Sequence, residues 1–313
     1  MNGRLGPGVP AATRGDYHGR GTLRLAGPAI WLEVLATGGP RILRLGRTGS
    51  SANLLAETPD LGWETSQGRY ELLGGHRLWI APEDPATVAI PDGEGLVVEP
   101  VAGGLRLTGR PEPSTGIVRS LEIRLDPVTP SLAVRHELRN GGRAAIEVSP
   151  WSITQLPLGG RVLMPQRRAA VGHRVRPVRN LVVWPYTSWE DDRISVRDGV
   201  VVVRGTPGDD LKLGCFTDLG WVAYERDGIA LIRRFVPAIG EHHPDLECNI
   251  EAYSGRRYLE LEILGPLRTV APEESAVLQE WWEIRSVGIG RDELGSLVAE
   301  LAAPADDSMP RIA

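Results

Sequence analysis

Lysine is nearly missing from this 313-residue chain: of 35 basic side chains only Lys212 is a lysine, and 40 acidic residues leave a formal net charge of −5. No basic block remains that could follow a phosphate backbone, which argues against nucleic acid as a partner. Long apolar runs are lacking too. None approaches the roughly 18 residues that a bilayer span requires, and residues 1–20 are rich in Gly, Pro and Arg, without the apolar stretch of a secretory signal. The expectation is a soluble, cytoplasmic protein with no membrane partner. Cysteine occurs twice, at Cys215 and Cys248, and two thiols in a chain of this size are expected to sit reduced in strands. Helical periodicity is scarce until the C-terminus.

What is present is strand punctuation. Gly 38 and Pro 25 together make about a fifth of the chain, enough for frequent turns and too little for a low-complexity sequence. Short alternating segments, such as residues 30–36, 41–45, 70–73, 104–108 and 117–125, are bounded by Gly, Pro, Asp or Asn. In the last of these Leu121, Ile123 and Leu125 alternate with Ser120, Glu122 and Arg124, the period of a sheet with one wet face. Residues 132–138 follow after Asp126-Pro127-Val128-Thr129-Pro130, so the two read as an antiparallel hairpin. The second half repeats the pattern to about residue 285, and strands without interleaved helices exclude a doubly wound α/β fold. One helix is expected over residues 292–302, where Leu294, Leu297, Val298 and Leu301 form one stripe and Pro304 ends it. The organisation expected is a flexible segment at 1–20, one β-domain over 21–290, a clamping helix at 291–303 and a tail at 304–313.

Several segments resemble one family pattern. Gly38-Gly39-Pro40-Arg41-Ile42-Leu43-Arg44-Leu45 followed by Ser51-Ala52-Asn53-Leu54-Leu55 is similar to the start of aldose 1-epimerase-like (galactose mutarotase-like) proteins. Gly74-Gly75-His76-Arg77-Leu78-Trp79-Ile80-Ala81-Pro82-Glu83 looks like the GGHRLW-x-APE signature of an uncharacterised mutarotase-like family. Residues 247–253, 258–267 and 280–284 resemble the same group, in the same order along the chain. The resemblance implies an all-β supersandwich: two large antiparallel sheets, face to face, with a carbohydrate held on one concave side.

It also implies where chemistry sits. Mutarotation needs a base for the anomeric hydroxyl and an acid for the ring oxygen. The family's base is a glutamate on a late strand, which matches Glu251; by strand parity Glu251 shares its face with Asn249 and Tyr253. The family's acid is a histidine, but the matching segment, with Trp151, Thr154 and Gln155, contains none. Thr154 and Gln155 can bond sugar hydroxyls but cannot serve as acids near neutral pH. His76 is the leading substitute, with Arg77 and Trp79 beside it as substrate-binding candidates, although parity sends His76 and Arg77 to opposite faces unless a bulge intervenes. His242 and His243, in the polar loop Glu241-His242-His243-Pro244-Asp245-Leu246-Glu247, are further candidates for the acid. That loop could also hold a divalent metal, although its spacing matches no closed zinc motif; no cofactor is otherwise expected.

Nine tryptophans and six tyrosines against two phenylalanines suit a pyranose site, because Trp and Tyr join a flat apolar face to a polar edge. Trp79, Trp151, Trp184, Trp189 and Trp221 are the candidates near it, although at least half of the tryptophans are expected in the core. The function expected is a carbohydrate-active protein, an aldose 1-epimerase-like isomerase if catalytic. The alternatives are a non-catalytic sugar-binding protein, or a lyase or hydrolase that reuses the cleft.

Overall fold

The computed structural model describes residues 11–84, 90–166, 177–197, 199–288, 297–299 and 301. Its strands assemble into two large antiparallel sheets and a separate hairpin. The first sheet runs Ala11–Tyr17, Arg20–Ala26, Ile30–Leu35, Arg41–Arg47, His76–Ala81, Ile146–Pro157, Tyr258–Leu264, Ile250–Ser254, Leu211–Cys215 and Val182–Val183, with Arg268–Val270 also paired to Ile146–Pro157. The second runs Ile194–Arg197, Val200–Arg204, Arg161–Pro165, Trp221–Arg226, Ile229–Phe235, Ser275–Ser286, Ser131–Asn140, Ile117–Leu125, Gly104–Thr108 and Val97–Val101.

The hairpin expected from the alternation forms, in register from Ile117↔Asn140 to Leu125↔Leu132. Asp126 fixes its turn by accepting the backbone N–H groups of Val128 at 2.8 Å and Thr129 at 2.7 Å. Leu121 and Ile123 then face inward and join one hydrophobic cluster with Leu107 and Val134 of the second sheet and Leu78, Ile80, Leu156, Leu213 and Ile263 of the first. Burying each such side chain contributes about 1.5–3 kcal/mol.

The expected flexible segment is corrected in part. Ala11–Tyr17 pairs along its length with Arg20–Ala26, because His18 and Gly19 take φ of 48° and 85°, the left-handed pair that a two-residue hairpin turn needs. Residues 1–10 and the tail 304–313 lie outside the described residues. Of the C-terminal helix, Leu297, Val298, Ala299 and Leu301 are described and helical. Leu297, Val298 and Leu301 pack on Leu163, Val202, Trp221 and Ile232, on the side of the second sheet facing away from the first. Trp221 belongs to that cluster and not to a cleft. Cys215 and Cys248 are buried free thiols, and no described helix is long and apolar enough to cross a membrane.

The separate hairpin, Glu57–Thr65 with Gly68–Gly74, lies against the outer side of the first sheet, where its Tyr70 and Leu72 pack with Trp79, Trp151 and Leu264. It walls one side of the face described next.

Candidate functional site

Strand register decides which side chains meet on the outer face of the first sheet. Trp151 pairs with Trp79 and Leu264, Ile153 with Arg77 and Glu262, and Gln155 with Glu260. Glu262 pairs onward with Glu251, Glu260 with Tyr253, Glu251 with Gly214 and Tyr253 with Lys212. Because residues opposite one another in a sheet point the same way, Arg77, Trp79, Trp151, Gln155, Glu260, Glu262, Glu251, Tyr253 and Lys212 share this face.

At its centre the sole lysine bridges two glutamates. Lys212 Nζ is 2.7 Å from Glu251 Oε2 and 3.1 Å from Glu262 Oε2. The indole N–H of Trp151 donates to Glu262 Oε2 at 2.6 Å. The ammonium also lies 4.5 Å from the Trp151 ring and 4.8 Å from the Trp184 ring, within cation–π range. Gly214 makes room for this arrangement: a Cβ there would fall 2.6 Å from Cys248 Sγ and 3.1 Å from Glu251 Cγ. The loop carrying Trp184 is fastened to the same strand, as the Trp184 N–H donates to the Lys212 carbonyl at 3.2 Å and Thr187 Oγ1 accepts the Lys212 N–H at 2.8 Å.

The electrostatics of the cluster follow from burial. Glu251 is 0% exposed and Lys212 5%. Burial opposes charge on Lys212, but the two carboxylates outweigh it and hold the ammonium's pKa well above its ordinary value. Burial likewise drives the Glu251 carboxyl well above the ordinary carboxylate range; Lys212 works against that shift, while Glu262 and Asp245 add to it. Two acids around one ammonium carry a surplus negative charge, and a proton on Glu251 removes it.

A second group adjoins the first. Arg77 Nη2 is 2.9 Å from Glu260 Oε1, to which Gln155 Nε2 also donates at 3.1 Å, and the guanidinium lies 4.4 Å from the Trp79 ring. Trp79 stands edge-on to Trp151 at 5.5 Å and donates its indole N–H to the Tyr70 hydroxyl at 3.1 Å. Tyr253 and Tyr258 lie 5.7 Å apart at the open end, with the Tyr253 hydroxyl 2.8 Å from Asp210. Among the described residues, Glu251 Oε1, Glu262 Oε1 and the Nε and Nη1 of Arg77 are buried without a hydrogen-bond partner.

Other expected site residues lie elsewhere. No bulge intervenes at His76, so it and Thr154 point into the core between the sheets, both 0% exposed. His76 Nδ1 is 2.8 Å from Thr154 Oγ1, and its Nε2 is 2.8 Å from His136 Nε2. His136 Nδ1 meets the Leu278 carbonyl at 3.1 Å, so that nitrogen is the donor and His76 Nε2–H donates to His136. Burial pushes both imidazoles below their ordinary pKa. The adjoining Gly75 serves packing, since a Cβ there would fall 2.1 Å from the Ile42 carbonyl. His76 is therefore corrected from cleft acid to core residue.

His242 is exposed and paired with Glu247 at 2.8 Å. His243 bonds the Glu241 carbonyl at 3.0 Å and stands edge-on to Phe216 at 5.4 Å. Asn249 is consumed by the backbone of Thr217, accepting its N–H and donating to its carbonyl at 2.8 Å each. Neither histidine of the loop pairs with Glu251, and among the described residues no three His, Cys, Asp or Glu side chains converge to hold a metal. Pro244–Glu247 instead forms one left-handed turn, with Asp245, Leu246 and Glu247 at φ of 52°, 58° and 68°. Such backbone is strained for these residue types. It brings the charge of Asp245 to bear on Glu251 and Glu83.

No protein-family model matches the chain, and no curated protein sequence matches it. Solved structures do. A candidate mutarotase from Salmonella typhimurium superposes with a TM-score of 0.56 at 10% identity, covering 90% of this chain and 95% of its own. A candidate aldose 1-epimerase from Klebsiella pneumoniae gives 0.55 at 10% identity, over 93% and 86%. The chain has the galactose mutarotase-like fold. A TPR-domain protein from Parabacteroides distasonis also matches, with a TM-score of 0.57 at 14% identity; 87% of this chain is covered, and the chain spans about half, 48%, of that protein.

On this mutarotase-like scaffold the structure places Glu251 on one face with Tyr253, Trp151, Gln155, Arg77 and Trp79 and separates it from the expected histidines. Lys212, Glu260, Glu262 and Trp184 complete the face. The alternation Tyr258-Leu259-Glu260-Leu261-Glu262 carried the signal for the two glutamates, since it sets both opposite Leu259 and Leu261.

Proposed function

We propose that the outer face of the first sheet binds a carbohydrate and that Glu251 takes part in proton transfer at its anomeric carbon. The observation that carries this reading is the set of buried polar atoms on Glu251, Glu262 and Arg77 that lack a partner among the described residues. Each such atom costs about 1–3 kcal/mol when left unsatisfied, and sugar hydroxyls supply both the donors and the acceptors that these atoms lack. Trp79, Trp151 and Trp184 offer the flat apolar surface that stacks on pyranose C–H groups. Tyr186, 52% exposed, lies on the same loop as Trp184.

Arg77 is engaged by Glu260, and three glutamates face two cations here. Both cations are already paired with carboxylates, which favours a neutral pyranose over a phosphorylated or uronic one, since an added anion would find no free counter-charge in a poorly solvated site. Binding without catalysis is a second reading, favoured because no histidine pairs with Glu251 among the described residues.

The test is anomer exchange by NMR across neutral, acidic and phosphorylated sugars, comparing the wild type with Glu251→Gln. Exchange of a neutral aldose above the uncatalysed rate, lost in the variant, is the expected result. Ligand broadening without exchange supports binding alone, and neither effect with any sugar contradicts the proposal.

A further inference from the structure

The face holds no imidazole among the described residues, but it holds a second carboxylate in the right place. Glu251 and Glu262 are direct cross-strand partners, both reach Lys212 Nζ, and each keeps one buried oxygen without a partner among the described residues. Their Lys212-bound oxygens are therefore no more than about 6 Å apart, close enough to serve the two oxygens attached to one anomeric carbon.

We infer that Glu251 and Glu262 form an acid–base pair sharing one proton, with Glu251 protonating the ring oxygen, Glu262 accepting the proton of the anomeric hydroxyl, and Lys212 positioning both. The inference rests on the carbohydrate reading above, and it reverses the role that family resemblance implies for Glu251. The surroundings of the two glutamates differ in the direction required. Glu262 Oε2 accepts hydrogen bonds from the Lys212 ammonium and the Trp151 indole N–H, two donors that orient it as an acceptor. Among the described residues Glu251 has the Lys212 ion pair alone, and burial raises its proton affinity.

The cycle balances within the site. The Glu251 carboxyl gives its proton to O5 as the C1–O5 bond breaks, while Glu262 takes the proton from O1 and C1=O1 forms. Rotation about C1–C2 turns the aldehyde. The C1–O5 bond then re-forms on the other face, Glu262 returns its proton to O1, and O5 returns its proton to Glu251. No outside oxidant or co-reactant is needed.

The groups acting on Glu251 are Lys212, Glu262, Asp245, Cys215 and Cys248. Those acting on Glu262 are Lys212, Glu251, Trp151, Glu260, Glu83 and Tyr186. The decisive experiment measures anomer exchange against pH for the wild type, Glu251→Gln, Glu262→Gln and Glu262→Asp, with circular dichroism to confirm folding. The wild type should give a bell-shaped profile, and each Gln variant should lose about 100-fold or more, as general acid–base groups do. The double variant should lose little beyond either single one, and Glu262→Asp should recover part of the rate. Infrared difference spectra provide a measurement independent of turnover: a protonated carboxyl band at neutral pH should vanish in Glu251→Gln. A folded Glu262→Gln within threefold of the wild type, or no such band, overturns the pairing while leaving the carbohydrate reading intact. A wild type that exchanges no sugar, or that hydrolyses a glycoside instead, overturns both the pairing and the anomer-exchange reading.

Discussion

Glu251 and Glu262 stand opposite each other on adjacent antiparallel strands and share one cation, the Lys212 ammonium, at 2.7 and 3.1 Å. The chain's only lysine is thus placed where two acids need a counter-charge.

Replacing Lys212 with Met should therefore cost about 3–5 kcal/mol at neutral pH, because it strands buried negative charge. The loss should shrink on acidification. Glu251 has a folded-state pKa raised above its unfolded value, so its protonated form favours folding at low pH, and that contribution fades as pH rises through the folded pKa. Urea midpoints of the variant at pH 5.5 and 8 test this; a deficit larger at pH 5.5 would count against it.

The histidine pair between the sheets predicts the opposite slope. Burial holds His76 and His136 below their ordinary 6.5, so the unfolded chain takes up protons first as pH drops. Their contribution is complete above about 6.5 and is lost below it, by up to about 1.4 kcal/mol per pH unit for each histidine. The stability slope between pH 7.5 and 5.5 should flatten in a folded His136→Asn variant. An unchanged slope would show that other groups set it.

Gly214→Ala tests the packing beneath the pair. The added methyl meets Cys248 Sγ at 2.6 Å and Glu251 Cγ at 3.1 Å, so the variant should lose about 1–3 kcal/mol and any exchange activity together. Unchanged thermal midpoint and activity would contradict the close approach.

The two thiols should be inert in the folded protein. Burial pushes Cys215 up to about 12 and raises Cys248 as well, and reactivity follows the thiolate. A disulfide-exchange reagent should label neither cysteine natively and both in urea; rapid native labelling would contradict this.

Much of this was legible in the sequence because period-two alternation reports directly on which face a side chain takes. Leu121 and Ile123 turned inward as read, and parity correctly separated His76 from Arg77. The central strand Ile146–Pro157 was harder to read because Pro150 and Pro157 break a strand pattern. Pro150 is tolerated where one neighbour gives way to another: Val148 pairs with Arg268, whereas Trp151 pairs with Leu264, so a ladder N–H is dispensable between them. The acid–base partner was illegible for a different reason. A search for a histidine looks for residue type, whereas Glu262 acquires its role from a neighbour 11 residues away in sequence and from a lysine 50 residues away.

The most direct test of the carbohydrate site is an indole N–H titration by 15N NMR, using the nine tryptophans as reporters while neutral pyranoses are added. The account predicts shifts confined to Trp79, Trp151 and Trp184, with Trp221 and Trp282 unmoved in the core. Shifts at Trp221 or Trp282 alone, or none at saturating concentrations of every sugar, would contradict it.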